Sequence, residues 1–216
     1  MISGVLFDLD GTLADTAPDL AYALNQTLLH HGKEELPFET IRPVVSHGGR
    51  ALIKLGFDYE PEHEHYEKVR VYLLDVYLNN IAKHTELFPG IEELLVAIEN
   101  KSLPWGIVTN KPGWLTDPLM KALNLTERAA CIVSGDTCEH NKPHPEPMFH
   151  ACDIAKIDPN NCLYIGDADR DIEAGRAAGM KTVGALFGYI LVDENPMDWN
   201  ADVYINHPTE ILKLLA

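Results

Sequence analysis

The chain has 216 residues, enough for one sizeable core or for a core with a smaller second domain. Acids outnumber bases by 33 to 17, which gives a formal net charge of -16. This balance argues against nucleic acid and against an anionic membrane surface as partners, because a protein binds either one through a cationic patch. No apolar run approaches the length of a membrane span.

The first predicted element is a buried strand that ends in two carboxylates. Residues 5–7 form a continuous apolar run, typical of a central parallel strand covered on both faces. Asp8 and Asp10 follow two residues apart, so both side chains can face one point. Gly11 lets the chain turn away at once. Two acids at the end of a buried strand repel each other and lose solvation, which predicts a cation or a proton beside them.

Residues 15–85 are predicted to contain helices only. Thr16 and Asp19 have the spacing of a capping box at the start of a first helix. A second helix is predicted from about residue 39, and a third over residues 61–84, where apolar side chains recur at helical spacing. Such an insert between the first strand and the rest of the chain indicates a small helical bundle, which we call the helical cap.

Two glycines and an arginine interrupt the second helix of the cap, at residues 46–50. One interpretation is an ordinary turn between helices with a solvated arginine. The other is a loop that closes over a ligand, because a glycine pair allows close approach of the backbone and Arg50 can pair with an anionic group. Gly49 and Arg50 are therefore candidate substrate-binding residues, and both interpretations stay open.

After residue 86 the pattern changes to alternating helices and strands. This alternation predicts an α/β fold, a doubly wound parallel sheet, with the helical cap inserted after the first strand. The predicted domains are a core of residues 1–14 and 86–216 and a cap of residues 15–85. The further strands are predicted at residues 105–109, 131–134, 162–166, 182–186 and 203–205.

Polar residues follow several of these strands, where ligands bind in open α/β sheets. Thr109 and Asn110 end the second strand and could hold oxygens of a ligand. Lys142 lies in the loop after the third strand and Asp167 follows the fourth. Asp169 is predicted to cap the helix that comes next, because Asp is favoured at helix N-termini.

Taken together, these stretches resemble the haloacid dehalogenase-like phosphatases, whose nucleophile motif is DxDGT. Within that superfamily the chain is most similar to phosphoglycolate phosphatase-like proteins, and its segment 188–202 also looks like that of the sister group, the N-acetylmuramic acid 6-phosphate phosphatases. The strings that carry the resemblance are DLDGTL, DTAPDL, IVTNK, KPHP and GDADRDIEAGRAAGM.

The resemblance implies a mechanism. Asp8 would be the nucleophile that becomes phosphorylated, and Asp10 would be the general acid and base. Mg²⁺ would be bound by the carboxylates of Asp8 and Asp167 and by the backbone carbonyl of Asp10. Lys142 would supply a fixed cation, and the Thr109 hydroxyl would bind the transferring phosphate oxygens.

The resemblance also implies supporting roles for two further residues. Asp171 would hold Lys142 or a metal-bound water in place, and Asn110 would help to bind substrate. The expected substrate is a small phosphorylated metabolite, with 2-phosphoglycolate first and N-acetylmuramic acid 6-phosphate as the alternative. Both esters carry a carboxylate, which Arg50 could bind.

Two other classes of protein and one other kind of site share parts of this pattern. A response-regulator receiver also uses Asp, Thr and Lys at sheet ends, but it lacks the second acid and the insert. A sugar phosphomutase of the same superfamily keeps the same core residues and stays the chemical rival. The histidines suggest a metal site, but their sequence spacing forms no convincing ligand set, so solvated side chains are expected.

The cysteines bear on location. The four cysteines have no CxxC spacing and lie in largely apolar or strand-like surroundings. Reduced thiols of this kind are typical of a cytoplasmic protein, and we expect a monomer or a homodimer.

Overall fold

The computed structural model describes residues 2–215. Its strands, in chain order, are β1 (Gly4–Phe7), β2 (Ala14–Asp15), β3 (Glu86–Leu87), β4 (Trp105–Val108), β5 (Cys131–Val133), β6 (Cys162–Gly166), β7 (Lys181–Ala185) and β8 (Val203–Ile205). Six of them form one parallel sheet in the spatial order β5-β4-β1-β6-β7-β8. The chain proceeds outward from β1 in both directions, so the crevice at the carboxyl end of β1 is the switch point where such folds bind ligands.

Helices cover both faces of this sheet and form the insert. They are α1 (Ala17–His30), α2 (Phe38–Ile41), α3 (Gly48–Phe57), α4 (Tyr66–Leu78), α5 (Ile91–Asn100), α6 (Gly113–Ala122), α7 (Glu146–Ala155) and α8 (Asp169–Ala177). Short 3-10 helices occur at Arg42–His47, Pro159–Asn161, Pro196–Trp199 and Pro208–Leu214. The doubly wound parallel fold expected from the sequence is confirmed. Among the described residues, no helix combines the length and apolarity needed to cross a membrane.

Strand β1 is buried on both faces. Phe7 belongs to the larger apolar cluster, which continues into the helices of the insert, whereas its neighbour Leu6 belongs to the smaller cluster around α7. Because successive side chains of a strand point to opposite faces, each must find its own apolar layer. This explains why the strand is a continuous apolar run and why the first polar side chain, Asp8, comes only at its end.

The two ends of the insert meet in a short antiparallel ribbon. Ala14 of β2 pairs with Leu87 of β3, so the chain leaves and re-enters the core at one place. Asp19, completely buried in α1, accepts hydrogen bonds from the backbone N–H groups of His84 and Thr85. The capping-box prediction was therefore wrong: Asp19 ties the end of the insert to its start, and the N-cap side chain makes no capping bond. The exact domain boundaries stay a prediction.

Several helix boundaries differ from the expectation. The third helix of the insert is α4, Tyr66–Leu78, rather than residues 61–84, because the exposed polar run 62–65 offers no side chain to bury. Gly48 and Gly49 begin α3 instead of breaking a helix. Gly48 has a φ of 72°, which lets the chain turn from the preceding 3-10 helix into α3. The terminal helix, predicted from about Thr209, is a 3-10 helix, Pro208–Leu214.

Candidate active site

A lysine and two carboxylates form the centre of the site. The Nζ of Lys142 lies 2.8 Å from Oδ1 of Asp8 and 2.7 Å from Oδ1 of Asp171. It donates hydrogen bonds to Asp171, to the carbonyl of Val108 and to the hydroxyl of Tyr164. These three bonds use all three protons of the ammonium group. Oδ1 of Asp8 is consequently buried without a hydrogen-bond partner among the described residues, although a cation lies beside it.

Burial and charge act in opposite directions on this pair. Burial raises the pKa of Asp8 above its ordinary value, and the charge of Lys142 offsets part of that rise. Burial alone would lower the pKa of Lys142, but the carboxylates of Asp171 and Asp8 raise it overall. Lys142 is therefore held as a cation at neutral pH, within contact distance of Asp8.

Asp167 is the third buried acid, placed directly after β6. Its Oδ2 accepts hydrogen bonds from the backbone N–H of Tyr189 and the hydroxyl of Ser46, both at 2.8 Å. The Thr12 hydroxyl donates to Oδ1 over 3.3 Å. The turn of β1 and the loop after β7 both approach this carboxylate closely. A Cβ at Gly188 would collide with the Cβ of Asp167, so a side chain there would displace the acid.

The acids fit a divalent cation with oxygen ligands. Oxygens of Asp8, Asp167 and Asp171 lie within 4.8 Å of one another. Burial, together with the charges of Asp8 and Asp171, raises the pKa of Asp167 to about 7. Asp171 is already bound to Lys142 and to the backbone N–H of Ala168, whereas Asp8 keeps an unpartnered oxygen. Asp8 shares the charge of Lys142 with Asp171, and Asp167 accepts hydrogen bonds from neutral donors, so a cation bound by Asp8 and Asp167 would supply compensating charge. Their oxygens suit Mg²⁺.

Asp10 is held away from the buried cluster by two partners. Its Oδ1 accepts hydrogen bonds from the Nζ of Lys111 at 2.8 Å and from the hydroxyl of Thr16 at 2.6 Å. The side chain of Lys111 is itself nearly buried, and its Nζ lies 4.6 Å from the ring centre of Tyr77 on α4. Lys111 thus contacts both Asp10 of the core and Tyr77 of the insert.

Thr109 and Asn110 lie at the end of β4, as expected. Thr109 is buried, and its hydroxyl accepts a hydrogen bond from the backbone N–H of Lys111. The side-chain amide of Asn110 donates to the carbonyl of Lys142 and accepts from its N–H, at 2.9 and 3.0 Å. Asn110 therefore anchors the loop that carries Lys142, and binding of substrate by Asn110 stays a prediction.

The acid that caps the N-terminus of α8 is Asp171, not Asp169. Oδ2 of Asp171 accepts the backbone N–H of Ala168, the N-cap residue, while its Oδ1 accepts from Lys142. Asp169 is exposed. The prediction for Asp169 was wrong because both acids fall in the first turn, and only the third helical position can reach back to the N-cap amide. One carboxylate therefore starts the helix and orients the lysine.

A cavity of about 410 Å³ opens between the sheet edge and the insert. Asp8, Asp10 and Thr109 form its floor, and residues 45–50 with α4 form its roof. Its lining includes two acids, Asp8 and Asp10, and four cations: Arg50, Arg70, Lys111 and Arg170. These cations give an anionic ligand local partners in a protein that is strongly acidic as a whole.

Arg50 lines this cavity but is engaged elsewhere. Its guanidinium lies 3.0 Å from Glu60, and its side chain is 67% exposed. Arg70, a residue that sequence reasoning did not single out, pairs with Glu67 at 2.7 Å in the same way. Both pairs lie largely in water, where such ion pairs contribute little, so either arginine can exchange its partner for a ligand carboxylate.

The insert is bonded to the sheet edge at one residue that the sequence did not indicate. The Ser46 hydroxyl donates to Asp167, and its carbonyl accepts a 2.7 Å hydrogen bond from Arg170 of α8. A serine two residues before a pair of glycines carries no local signal for such a contact. Lys111 could have been selected, because it stands in the IVTNK string beside Thr109 and Asn110.

An open doubly wound sheet with a fixed lysine and buried acids at its carboxyl edge defines an α/β enzyme of phosphoryl transfer. The chain belongs to the haloacid dehalogenase-like hydrolase family, whose sequence model matches residues 5–185. Over 214 residues it is 42% identical to an N-acetylmuramic acid 6-phosphate phosphatase of Pseudomonas putida, covering 99% of this chain and 96% of that protein. Over 207 residues it is 40% identical to a phosphoglycolate phosphatase of Xanthomonas campestris pv. campestris, covering 96% and 93% of the two chains.

A solved structure has the same architecture. The crystal structure of a predicted phosphoglycolate phosphatase from Haemophilus somnus 129pt matches with a TM-score of 0.89 at 25% identity, covering 100% of this chain and 98% of that chain. The family and these relatives make the chain a phosphoric monoester hydrolase.

Proposed function

We propose that the chain is a Mg²⁺-dependent phosphatase that hydrolyses a small phosphomonoester through a phosphorylated Asp8. The observation that carries this proposal is the position of Asp8, which lines the cavity while its Oδ1 lies 2.8 Å from the Nζ of Lys142. A carboxylate placed between a ligand cavity and a fixed cation can attack a bound phosphate. The charge of Lys142 lowers the pKa of Asp8 and so favours its ionised form, against the effect of burial.

Asp8 and Asp167, with the backbone carbonyl of Asp10, would hold the metal ion. When bound, Mg²⁺ masks negative charge on the phosphate and on the acids, so that a carboxylate can approach a dianion. The residues of the chain do the remaining work. The Thr109 hydroxyl binds the phosphate oxygens that gain charge during transfer, and the fixed charge of Lys142 stabilises that negative charge.

Two displacements at phosphorus complete the reaction. In the first, an oxygen of Asp8 forms a bond to phosphorus, the ester P–O bond breaks, and Asp10 donates its proton to the departing alcohol. In the second, Asp10 takes a proton from a water molecule as that water attacks phosphorus. The bond to Asp8 then breaks, which releases inorganic phosphate and restores the carboxylate. Lys111 and Thr16 hold Asp10 at the edge of the cavity.

The cavity indicates an ester with a second anionic group. Arg50 and Arg70 lie on the wall contributed by the insert, where a carboxylate of the substrate could replace their glutamate partners. Both 2-phosphoglycolate and N-acetylmuramic acid 6-phosphate have such a carboxylate. A cavity of about 410 Å³ is in the size range that holds a drug-sized ligand, which favours the larger muramic acid ester. 2-Phosphoglycolate, the first expectation from the sequence, stays the alternative.

The insert moves relative to the core during the reaction cycle. The insert, residues 15–85, acts as a cap domain on a core of residues 1–14 and 86–216. It opens at the ribbon of β2 and β3 to admit substrate and closes through Ser46. The four cysteines are free, which fits a cytoplasmic enzyme.

Steady-state kinetics with both esters and with p-nitrophenyl phosphate test the proposal. We expect hydrolysis that requires Mg²⁺, stops in excess chelator and is abolished in Asp8→Asn. Mass spectrometry of the acid-quenched enzyme should find phosphate on Asp8. Undiminished turnover in chelator, or phosphate on another residue, would overturn the mechanism.

A phosphomutase with the same core residues is the remaining chemical rival. Incubation with a sugar 1-phosphate separates the two activities, because a mutase returns a sugar phosphate whereas a phosphatase releases inorganic phosphate. We expect release of inorganic phosphate in proportion to substrate loss.

A further inference from the structure

Outside the active site, two histidines and a glutamate converge on the loop between β5 and α7. His140 and His144 stack with ring centres 4.3 Å apart, and Nδ1 of His140 lies 2.9 Å from Oε2 of Glu146. Each of the three residues offers one ligand atom, and these atoms all lie within 4.8 Å of one another. The sequence expectation that the histidines are only solvated is therefore incomplete, because folding of the loop adds the acid that the spacing did not show.

The donor set differs from that of the active site. Two imidazole nitrogens and one carboxylate oxygen suit a borderline cation such as Zn²⁺ or Co²⁺, whereas the acids near Asp8 offer oxygens alone. The rings of His140 and His144 are exposed, so water can complete the coordination. Ligand atoms up to 4.8 Å apart must contract by about an ångström around a metal with bonds near 2.0–2.2 Å, which exposed side chains can do.

The loop backbone holds the three residues together. The N–H of His144 donates to the carbonyl of Asn141 over 2.9 Å, and the N–H of His140 donates to Glu146 over 2.9 Å. Nδ1 of His144 accepts a long, 3.2 Å hydrogen bond from the N–H of Glu146. A metal at that nitrogen would replace this bond, and the amide, which begins α7, can then be solvated.

The position of the cluster connects it to the active site. Lys142 lies midway between the two histidines in sequence, and its backbone is fixed to Asn110 by two hydrogen bonds. A cation that joins His140 to His144 would therefore close the loop around the active-site lysine.

The geometry points to a second metal site, at His140, His144 and Glu146, that binds a transition ion of the Zn²⁺ class on the loop that carries Lys142. The site is independent of the Mg²⁺ proposed at Asp8 and Asp167. It would stabilise the conformation of this loop without taking part in phosphoryl transfer.

Calorimetric titration of the full chain with Zn²⁺ tests the site, with Mg²⁺ in large excess to occupy the acids. We expect one Zn²⁺ per chain in the parent protein. His144→Ala and Glu146→Gln should each weaken this binding by more than about tenfold, the loss that removal of even an outer partner of a metal ligand typically causes. His150→Ala, at an exposed histidine of α7 outside the cluster, is the matched control and should bind as the parent does.

A second measurement needs no variant. In the parent protein, the NMR resonances of the His140 and His144 rings should shift on addition of Zn²⁺ in excess Mg²⁺, while those of His150 should not. Equal Zn²⁺ affinity in the parent and both cluster variants, or a loss of the same size in His150→Ala, would overturn the proposal. So would unchanged ring resonances of the two histidines.

Discussion

Replacement of Lys142 by methionine tests the charge balance of the site most directly. Methionine keeps much of the aliphatic volume but removes the ammonium group, which is 1% exposed. The change leaves the carboxylates of Asp8 and Asp171 buried and close together without their cation. It also removes one of the two donors to the Val108 carbonyl, which still accepts from the Tyr164 hydroxyl, and the donor to that hydroxyl.

The magnitude follows from the burial of these partners. Removing one member of a buried ion pair costs about 3–5 kcal/mol, because the remaining charge is uncompensated. That loss is a large part of the total stability of about 5–15 kcal/mol, and in a chain of this size it lowers Tm by roughly 6–20 °C.

The loss should depend on pH in a defined direction. The pKa of Asp8 is already raised in the folded protein, and removal of Lys142 raises it further. At low pH the Asp8 carboxyl is protonated in both the folded and the unfolded protein, and its burial then carries no charge penalty. As the pH rises through the raised pKa of the folded state, ionisation of Asp8 lowers the free energy of unfolding. The destabilisation of the variant should therefore grow from about pH 4 to neutral pH.

Urea unfolding of the metal-free protein in chelator measures this effect at several pH values. The double variant Lys142→Met/Asp171→Asn is the control, because it removes one of the two stranded charges and keeps an oxygen for the Ala168 amide. It should recover a substantial part of the lost free energy of unfolding. A single variant as stable as the parent at neutral pH, or a double variant less stable than the single one, would refute the assignment of Lys142 as the compensating charge.

Four further changes have defined outcomes. Arg50→Ala should lower kcat/KM for the carboxylate-bearing ester by about one to two orders of magnitude and leave p-nitrophenyl phosphate hydrolysis unchanged; equal losses would indicate a role in cap closure. Ser46→Ala removes a hydrogen bond to a carboxylate worth about 1.5 kcal/mol, so amide hydrogen exchange of residues 42–47 should accelerate roughly tenfold while β1 is unaffected. Because the pKa of Asp167 is about 7, Mg²⁺ affinity measured by calorimetry should fall about tenfold per pH unit below 7, where the carboxylate is protonated; an affinity independent of pH would contradict this. Gly188→Ala should cost about 1–3 kcal/mol in thermal melts, because its methyl group would collide with Asp167.

Much of the core could be predicted from the sequence alone. The apolar run of β1, the acid pair after it, and the polar residues after later strands fixed a doubly wound parallel sheet with its polar side chains at one edge. These features are local: a strand buried on both faces must be apolar throughout, and the carboxyl ends of parallel strands meet at one edge of the sheet. The positions of Asp8, Thr109, Lys142 and Asp167 after the ends of predicted strands therefore placed them at one edge of the sheet.

Only the tertiary structure decided which partner each group has. Ser46 and Asp167 are 121 residues apart, and the tie from Asp19 to His84 spans 65, so no local spacing specifies either contact. Spacing also misassigned Asp169 and Thr16, because a polar side chain bonds to whichever group folding brings within reach. His140 and Glu146 likewise become neighbours through the closed loop rather than through helical spacing. The sequence gives the chemical group that each side chain carries. A hydrogen bond also depends on the distance and direction between two groups, and folding sets both.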